Sequence, residues 1–147
     1  MSPGPSRDFL LNHADGYSPR LPLVGARGRA DNVPMNDSRT LLIVGHIPSA
    51  NTQRLRDAVE AGALGAEAGS IKVVTKTPFD TDADDVLAAK ALVLGTTENL
   101  GYMSGALKDF FDRVYYPCLD HTGGLPYALY IRAKLDGTGT RRAVESI

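Results

Sequence analysis

The segment at positions 46–52, which reads HIPSANT, combines a histidine with three short polar side chains, Ser49, Asn51 and Thr52. It joins an apolar run to a predicted helix, and the free amides at the start of a helix favour an anion such as phosphate. It contains no lysine and no Gly-x-Gly-x-x-Gly pattern, which disfavours a nucleoside triphosphate loop and a classical dinucleotide fold. Ser and Asn are also common helix caps, so phosphate binding and simple capping both stay open for this segment.

Two further segments of similar character follow later in the chain. The segment at 95–104 reads GTTENLGYMS, and the segment at 132–140 reads RAKLDGTGT. Backbone amides and hydroxyls can pair with the polar edges of a small molecule, and Tyr102 can cover the face of an aromatic ring. We find no convincing catalytic acid, base or nucleophile in the three segments, and we predict no catalytic side chain.

Other side chains that often do chemistry are sparse. His13, His46 and His121 share no metal-ligand spacing, so we predict no metal site. The single cysteine, Cys118, excludes an internal disulfide and a cysteine-built zinc site, and we expect it to be packed as a small apolar residue. The aspartates at 82–85 are interpreted as acids at a helix start, where the helix dipole favours them.

Short apolar runs alternate with helical patterns in the part of the chain that must position these segments. We predict strands at 41–44, 71–75, 91–94 and 127–131, and helices at 51–66, 81–90, 103–114 and 141–147. Thr81 is the expected cap of the second helix. Met103, Ala106, Leu107, Phe110, Phe111 and Val114 form the apolar face of the third helix. Pro117 is expected past the end of that helix, and Arg113 is expected to face water.

This order predicts an α/β protein with an open, doubly wound parallel sheet, because the connections are long enough for parallel crossovers. Ligands bind such sheets beyond the carboxyl ends of the strands. All three polar segments lie at those ends, which makes this edge the predicted site.

Composition limits the function classes. The chain has 147 residues, 43% of them hydrophobic, and a formal net charge of −1. The charge disfavours a nucleic-acid partner, which would call for a basic surplus. No apolar run approaches the length of a membrane helix and no secretory signal is recognisable, so we expect no membrane partner and a cytoplasmic location. Residues 1–38 are rich in Pro, Gly and Arg, and we expect a disordered leader there, with Met35 as an alternative start.

The run from Met103 to Arg113, MSGALKDFFDR, resembles the flavin-contacting helix of the flavodoxin-like superfamily, in its branch of NAD(P)H-dependent FMN and quinone reductases. The run from Ser49 to Leu55, SANTQRL, resembles the phosphate loop of the same branch. The segment at 136–140 resembles its glycine-rich loop after the fourth strand. The resemblance covers the chain from about residue 41 onward.

This resemblance implies noncovalent FMN in a domain at 39–147, with NAD(P)H as co-substrate and a flavin, quinone or similar small molecule as electron acceptor. Its implied cofactor-binding residues are Ser49, Asn51, Thr52, Thr96, Thr97, Glu98, Asn99, Leu100, Gly101, Tyr102, Met103, Gly137, Thr138 and Gly139. The family also suggests a homo-oligomer. The alternatives are an electron-transfer protein of the flavodoxin type and a non-enzymatic fragment.

The chain departs from the family pattern in two places. Thr96, Thr97 and Glu98 stand where a proline is usual, and the charge of Glu98 near the ring would lower the reduction potential of the flavin. The pattern also calls for a fifth strand and helix after residue 147. We therefore expect a fold that lacks its last strand and helix and that leaves the fourth strand as an open edge.

Overall fold

A computed structural model describes residues 39–66 and 71–147. The leader predicted at 1–38, including Met35 and His13, lies outside the described residues. In chain order the elements are β1 (Arg39–Gly45), α1 (Ala50–Gly65), β2 (Ile71–Lys76), a short 3₁₀ turn (Pro78–Asp80), α2 (Ala83–Ala88), β3 (Ala91–Asn99), β4 (Tyr102–Met103), α3 (Gly105–Cys118), β5 (Tyr127–Arg132) and α4 (Thr138–Glu145).

Four of the strands form a parallel sheet in the order β2-β1-β3-β5. The first strand lies inside the sheet and the second at its edge, which is the order of a flavodoxin-like doubly wound sheet. The predicted α/β class and parallel sheet are confirmed. The remaining strand, β4, has two residues and pairs antiparallel with the end of β3.

The two faces of the sheet are covered by different helices. Leu42 and Val44 of β1 pack with Leu107, Phe110 and residues of α2 and α4 into the main core. Side chains alternate along a strand, so Ile43 and Gly45 face the other side. A Cβ placed on Gly45 would lie 3.2 Å from Arg56 Cγ, which puts α1 on that side. Helices on both faces make the sheet doubly wound.

The second predicted helix begins later than expected. Thr81 is not its cap, because Thr81 is buried and its hydroxyl donates to the carbonyl of Thr77 at 2.7 Å. Asp82 is the cap instead: its carboxylate accepts from the amide of Asp85 at 3.0 Å, and the carboxylate of Asp85 accepts from the amide of Asp82 at 3.1 Å. This reciprocal pair fixes the start of α2.

The third and fourth helices also differ from the prediction. α3 continues through Pro117 and ends at Cys118. A proline in the last turn of a helix removes only its own backbone hydrogen bond, and here the helix ends one residue after it. α4 begins at Thr138, three residues before the predicted start at position 141. The predicted burial of Cys118 is confirmed.

Arg113 is exposed, as predicted, and its guanidinium also makes contacts that the sequence did not predict. Its guanidinium donates to the carbonyls of Thr81 at 2.7 Å and Pro78 at 2.6 Å, and its Nε donates to Asp109 at 2.8 Å. It therefore ties α3 to the turn before α2. Periodicity missed this role because it depends on a contact 32 residues away in the chain.

Candidate functional site

The three predicted segments begin at one edge of the sheet, because β1, β3 and β5 are parallel. The amide of His46 donates to the carbonyl of Gly95 at 2.9 Å, so the first segment leaves its strand beside β3. In the second segment β3 continues as far as Asn99. The predicted strand, which ended near Gly95, was therefore too short. Pairing with β5 as far as the residue pair Thr97 and Arg132 explains the extra length.

In the first segment the hydroxyls are used within the loop. Ser49 caps α1: its Oγ accepts from the amide of Thr52 at 3.4 Å, and Thr52 Oγ1 accepts from the amide of Ser49 at 3.0 Å. Thr52 is buried, and its hydroxyl also donates to the carbonyl of Ser49 at 2.7 Å. The capping interpretation of this segment therefore holds for both residues, while the side chain of Asn51 is exposed.

The first turn of α1 still offers backbone donors. Helix geometry leaves the amides of Ala50 and Asn51 without an intrahelical acceptor, and the turn contains no acidic residue. An anion at this helix start would meet two amides and the positive end of the helix dipole.

The start of α4 differs, because protein carboxylates occupy it. Asp136 accepts from the amide of Thr138 at 3.0 Å, and that hydrogen bond lowers the pKa of the Asp136 carboxyl. Glu98 Oε2 accepts from the amide of Thr140 at 3.4 Å and from its hydroxyl at 3.2 Å. Of these two helix starts, α1 is the one without an acidic side chain and is the better candidate for a ligand's phosphate.

Thr96 and Thr97 are neighbours with opposite roles. Thr96 faces the main core, where its hydroxyl lies 3.0 Å from Ser104 Oγ and accepts from the amide of Ser104 at 3.1 Å. Thr97 faces the side of α1. It is only 8% exposed, and its hydroxyl has no hydrogen-bond partner among the described residues.

Two aromatic side chains near this edge also carry a buried polar atom that has no hydrogen-bond partner among the described residues. These atoms are Nδ1 of His46 and the hydroxyl of Tyr130. Burial lowers the pKa of His46 and raises the pKa of Tyr130. The ring of Tyr130 crosses Gly95 towards Gly45, since a Cβ on either glycine would meet it at 2.0 Å or 2.7 Å. Unpartnered buried groups are costly, which makes this edge a candidate for a polar ligand.

The turn between β3 and β4 is strained and apolar. Asn99 and Tyr102 pair across it, and its two central residues, Leu100 and Gly101, have φ of 55° and 77°. Two positive φ values are typical of a type I′ hairpin turn, for which asparagine and glycine are the usual residues. Leu100 is a poor residue for this conformation, and its side chain is fully exposed.

A second exposed leucine was missed by the sequence analysis. Leu135 is 84% exposed in the loop after β5, which leads into the start of α4. The available signal was an apolar residue inside an otherwise polar, glycine-rich loop. Leu100, Leu135 and the 44% exposed Tyr102 give the edge an apolar rim.

The remaining predicted residues have mainly structural positions. Met103 is buried in the main core. Gly137 caps α4 with φ of 70°, and Thr138 begins that helix. Gly139 lies so close to the β3–β4 turn that a Cβ there would be 2.2 Å from the carbonyl oxygen of Gly101. The structure thus brings the second and third segments into direct backbone contact, and a planar ring has no space between these two glycines.

A groove of about 330 Å³ lies beside Tyr102, between α3 and residues 146–147 after α4. Its walls include Phe111, Tyr115 and Tyr116, and Lys108 lines it in an ion pair with Asp112. In the part of the chain that the structure describes, no cluster of His, Cys, Asp or Glu has the arrangement of a metal site. The described helices include none with the length and apolar character needed to cross a membrane.

Comparison with solved structures returns flavodoxins. A two-electron reduced flavodoxin from Megasphaera elsdenii is 16% identical with a TM-score of 0.48, covering 63% of this chain and 83% of its own. A flavodoxin from the domain Archaea is 13% identical with a TM-score of 0.47, covering 72% and 92%. One from Streptococcus pneumonia TIGR4 is 12% identical with a TM-score of 0.42, covering 75% and 100%.

These similarities are too weak to assign a function to this chain. No protein-family model matches it, and no curated protein matches it either. The flavodoxin-like strand order described above is a property of the chain's own sheet.

Proposed function

We propose that this chain binds FMN without a covalent link at the C-terminal edge of its sheet and works as a redox protein. The observation that carries the proposal is the β3–β4 turn. It holds Leu100 in a left-handed conformation with its side chain in solvent. Strain of this kind costs about 1–3 kcal/mol and is concentrated at functional sites.

The residues at this edge fit the parts of FMN. The first turn of α1 offers two amides and the side chain of Asn51 to a phosphate. The hydroxyl of Thr97 is a buried donor and acceptor without a partner in the described chain. Leu100, Leu135 and Tyr102 offer apolar surface to a planar ring. The ring would lie outside the contact between Gly101 and Gly139, which leaves no gap for it.

Bound FMN would supply the chemistry, since a flavin accepts a hydride or electrons and passes them on. The side chains of this edge would bind and orient it. We assign no catalytic side chain, because the proposed reaction requires no acid or base from the protein.

We further propose that the chain is an enzyme that takes hydride from NAD(P)H and reduces a flavin, a quinone or a similar small acceptor. The resemblance of the run from Met103 to Arg113 to the reductase branch supports this choice. Several residues of that run also have structural roles: Ser104 caps α3, Phe110 belongs to the core, and Arg113 ties α3 to the turn before α2. The aromatic groove beside Tyr102 is the candidate position for the acceptor.

The second candidate is an electron-transfer protein of the flavodoxin type. The observation that favours it is the exposed rim of Leu100, Leu135 and Tyr102, which would place a flavin at the surface. A redox partner could then approach the flavin without a closed substrate site. The chain's proposed cytoplasmic location is compatible with both candidates.

Both candidates require FMN binding, which is tested by titrating FMN with the full chain and following the flavin fluorescence. We expect saturable quenching, and we expect Leu100→Asp to weaken binding by about tenfold, because it places a charge against the ring. Leu64→Asp is the matched control, since Leu64 is a 65% exposed leucine on α1. Absence of quenching with the wild-type chain would refute the proposal.

A second assay separates the two candidates. Oxidation of NAD(P)H by the FMN-loaded chain is followed by absorbance, with and without a quinone. Quinone-stimulated oxidation supports the enzyme. Binding of FMN without nicotinamide oxidation supports the electron-transfer protein.

The state of assembly is a separate proposal. Among the described residues, β5 pairs with β3 on one side only, and an open strand edge can pair with another chain. We propose a homo-oligomer, which sedimentation of the full chain would test.

A further inference from the structure

Glu98 connects two parts of the chain that are 42 residues apart. Its Oε2 accepts from the amide of Thr140 at 3.4 Å and from the hydroxyl of Thr140 at 3.2 Å. Thr140 has no exposed surface and lies in the first turn of α4. A carboxylate at a helix start is stabilised by the amide and by the helix dipole.

A second contact lies beside the first. Gly139 is packed so closely on the carbonyl of Gly101 that no larger residue fits there. The β3–β4 hairpin is therefore attached to the start of α4 at two points, one polar through Glu98 and one through the backbone at Gly101. We call these two contacts the hairpin–α4 junction.

The junction fixes the parts of the proposed site. Leu100 lies in the hairpin on one side of it, and Leu135 lies in the loop that leads into α4 on the other. Thr97, whose hydroxyl is a third part of the proposed site, is the residue before Glu98. A change at Glu98 would therefore alter the relative position of these groups, while the carboxylate itself is engaged with Thr140.

We propose that Glu98 is a positioning residue, which sets the affinity of the site for flavin through the hairpin–α4 junction and leaves the relative affinity for its two redox states unchanged. This inference rests on the flavin site proposed above. It differs from the effect expected from sequence, in which the charge of Glu98 acts directly on the ring and lowers its potential.

The test measures the Kd of oxidised and of reduced FMN for the full chain and its variants. We expect Glu98→Ala to weaken both by about tenfold, within the range for loss of a helix cap. Thr140→Val, which keeps the shape and removes the hydroxyl, should weaken both by a smaller factor. In the double variant the two effects should not add, because both remove the same contact. Glu98→Gln keeps an acceptor and should lie between wild type and Glu98→Ala.

Glu145→Gln is the matched control, since Glu145 lies at the other end of α4 and its side chain is 42% exposed. Hydrogen exchange at the amide of Thr140 gives a readout that needs no flavin, and Glu98→Ala should accelerate it. Should Glu98→Ala fail to fold, the milder Glu98→Gln and Thr140→Val provide the same comparison.

The outcomes separate the two proposals. If wild type does not bind FMN, the proposed function and this inference both fail. If wild type binds FMN and the Glu98 and Thr140 variants bind it equally well, only the positioning role is overturned. A change in the ratio of the two Kd values in Glu98→Gln would also overturn it, since that result indicates a direct effect of charge on the ring.

Discussion

The two faces of the sheet differ in how well their side chains are packed and hydrogen-bonded. On the face covered by α2, α3 and α4, Leu42, Val44 and Leu94 belong to a dense core, and the buried hydroxyl of Thr96 is hydrogen-bonded. On the face of α1, that helix buries a single residue, Thr52.

Three of the four unpartnered buried side-chain atoms in the described residues follow the same division, and the fourth, Nδ1 of His46, lies past the end of β1. Register places Thr75 beside Ile43, and Tyr130 beside Gly95, with Thr97 two residues further along β3. These residues therefore share the face of α1, and each has a buried hydroxyl without a partner in the described chain. The face of α2, α3 and α4 thus carries the hydrogen-bonded core, while the face of α1 retains three buried hydroxyls that have no partner among the described residues.

A matched pair of leucines should give the largest difference between the faces. Leu107 in α3 has no exposed surface, whereas Leu55 in α1 is only half-buried. We expect Leu107→Ala to lower the free energy of unfolding by about 3–4 kcal/mol because it leaves a cavity, and Leu55→Ala by about 1 kcal/mol. Urea unfolding measures both, and equal losses would contradict the division of stability between the faces.

The contact between Tyr130 and Gly95 should give the next largest effect. A Cβ on Gly95 would lie 2.0 Å from Tyr130 Cζ, so Gly95→Ala should cost about 2–3 kcal/mol through overpacking. Gly62→Ala is the control: its Cβ meets nothing within 4 Å, and it should stabilise the helix by about 0.5–1 kcal/mol. Adding Tyr130→Ala should make Gly95→Ala nearly neutral, and failure of that rescue would argue against this packing.

Neighbouring threonines test the faces at a single point of β3. Thr96→Val removes a paired hydroxyl and leaves the buried amide of Ser104 without its acceptor, which should cost about 1–2 kcal/mol. Thr97→Val removes an unpartnered hydroxyl and should leave the stability of the flavin-free chain within about 0.5 kcal/mol of wild type. It should nevertheless weaken FMN binding by about fivefold. Thermal unfolding and FMN titration measure the two effects, and the opposite ranking in stability would contradict the comparison.

Sequence patterns predicted what depends on neighbours in the chain. Alternation of strands and helices was enough to predict the four parallel strands. The 3–4 spacing of Leu107, Phe110 and Val114 predicted the buried face of α3, and all three are buried. Burial of these residues is determined by the helical period itself.

The features that sequence patterns did not predict depend on contacts between residues that are distant in the chain. Glu98 reaches Thr140 and Arg113 reaches Thr81, and neither partner follows from spacing. Alternation along β3 puts the hydroxyls of Thr96 and Thr97 on opposite faces, but only the packing of the helices shows which of the two meets the core. The proposed flavin residues therefore remain predictions at the level of single side chains.

Tyr130 should give the smallest effect, and one that depends on pH. Burial raises its pKa above the ordinary tyrosine value, although the guanidinium of Arg56 opposes this shift. Above about pH 10 the unfolded chain releases this proton while the folded chain retains it. The unfolded state then binds fewer protons, so the stability of the wild type should fall as pH rises through this range.

Tyr130→Phe removes both the proton and the unpartnered hydroxyl. At neutral pH we expect the variant to be as stable as wild type or more stable by less than about 1 kcal/mol. Urea unfolding from pH 8 to about pH 10.5 should show a constant difference at first, and a growing advantage for the variant above about pH 10. If both proteins lost stability in parallel over that range, the hydroxyl would not be buried in the folded state. The face of α1 would then be open to water at this position, and its contrast with the core face would rest on Thr75 and Thr97.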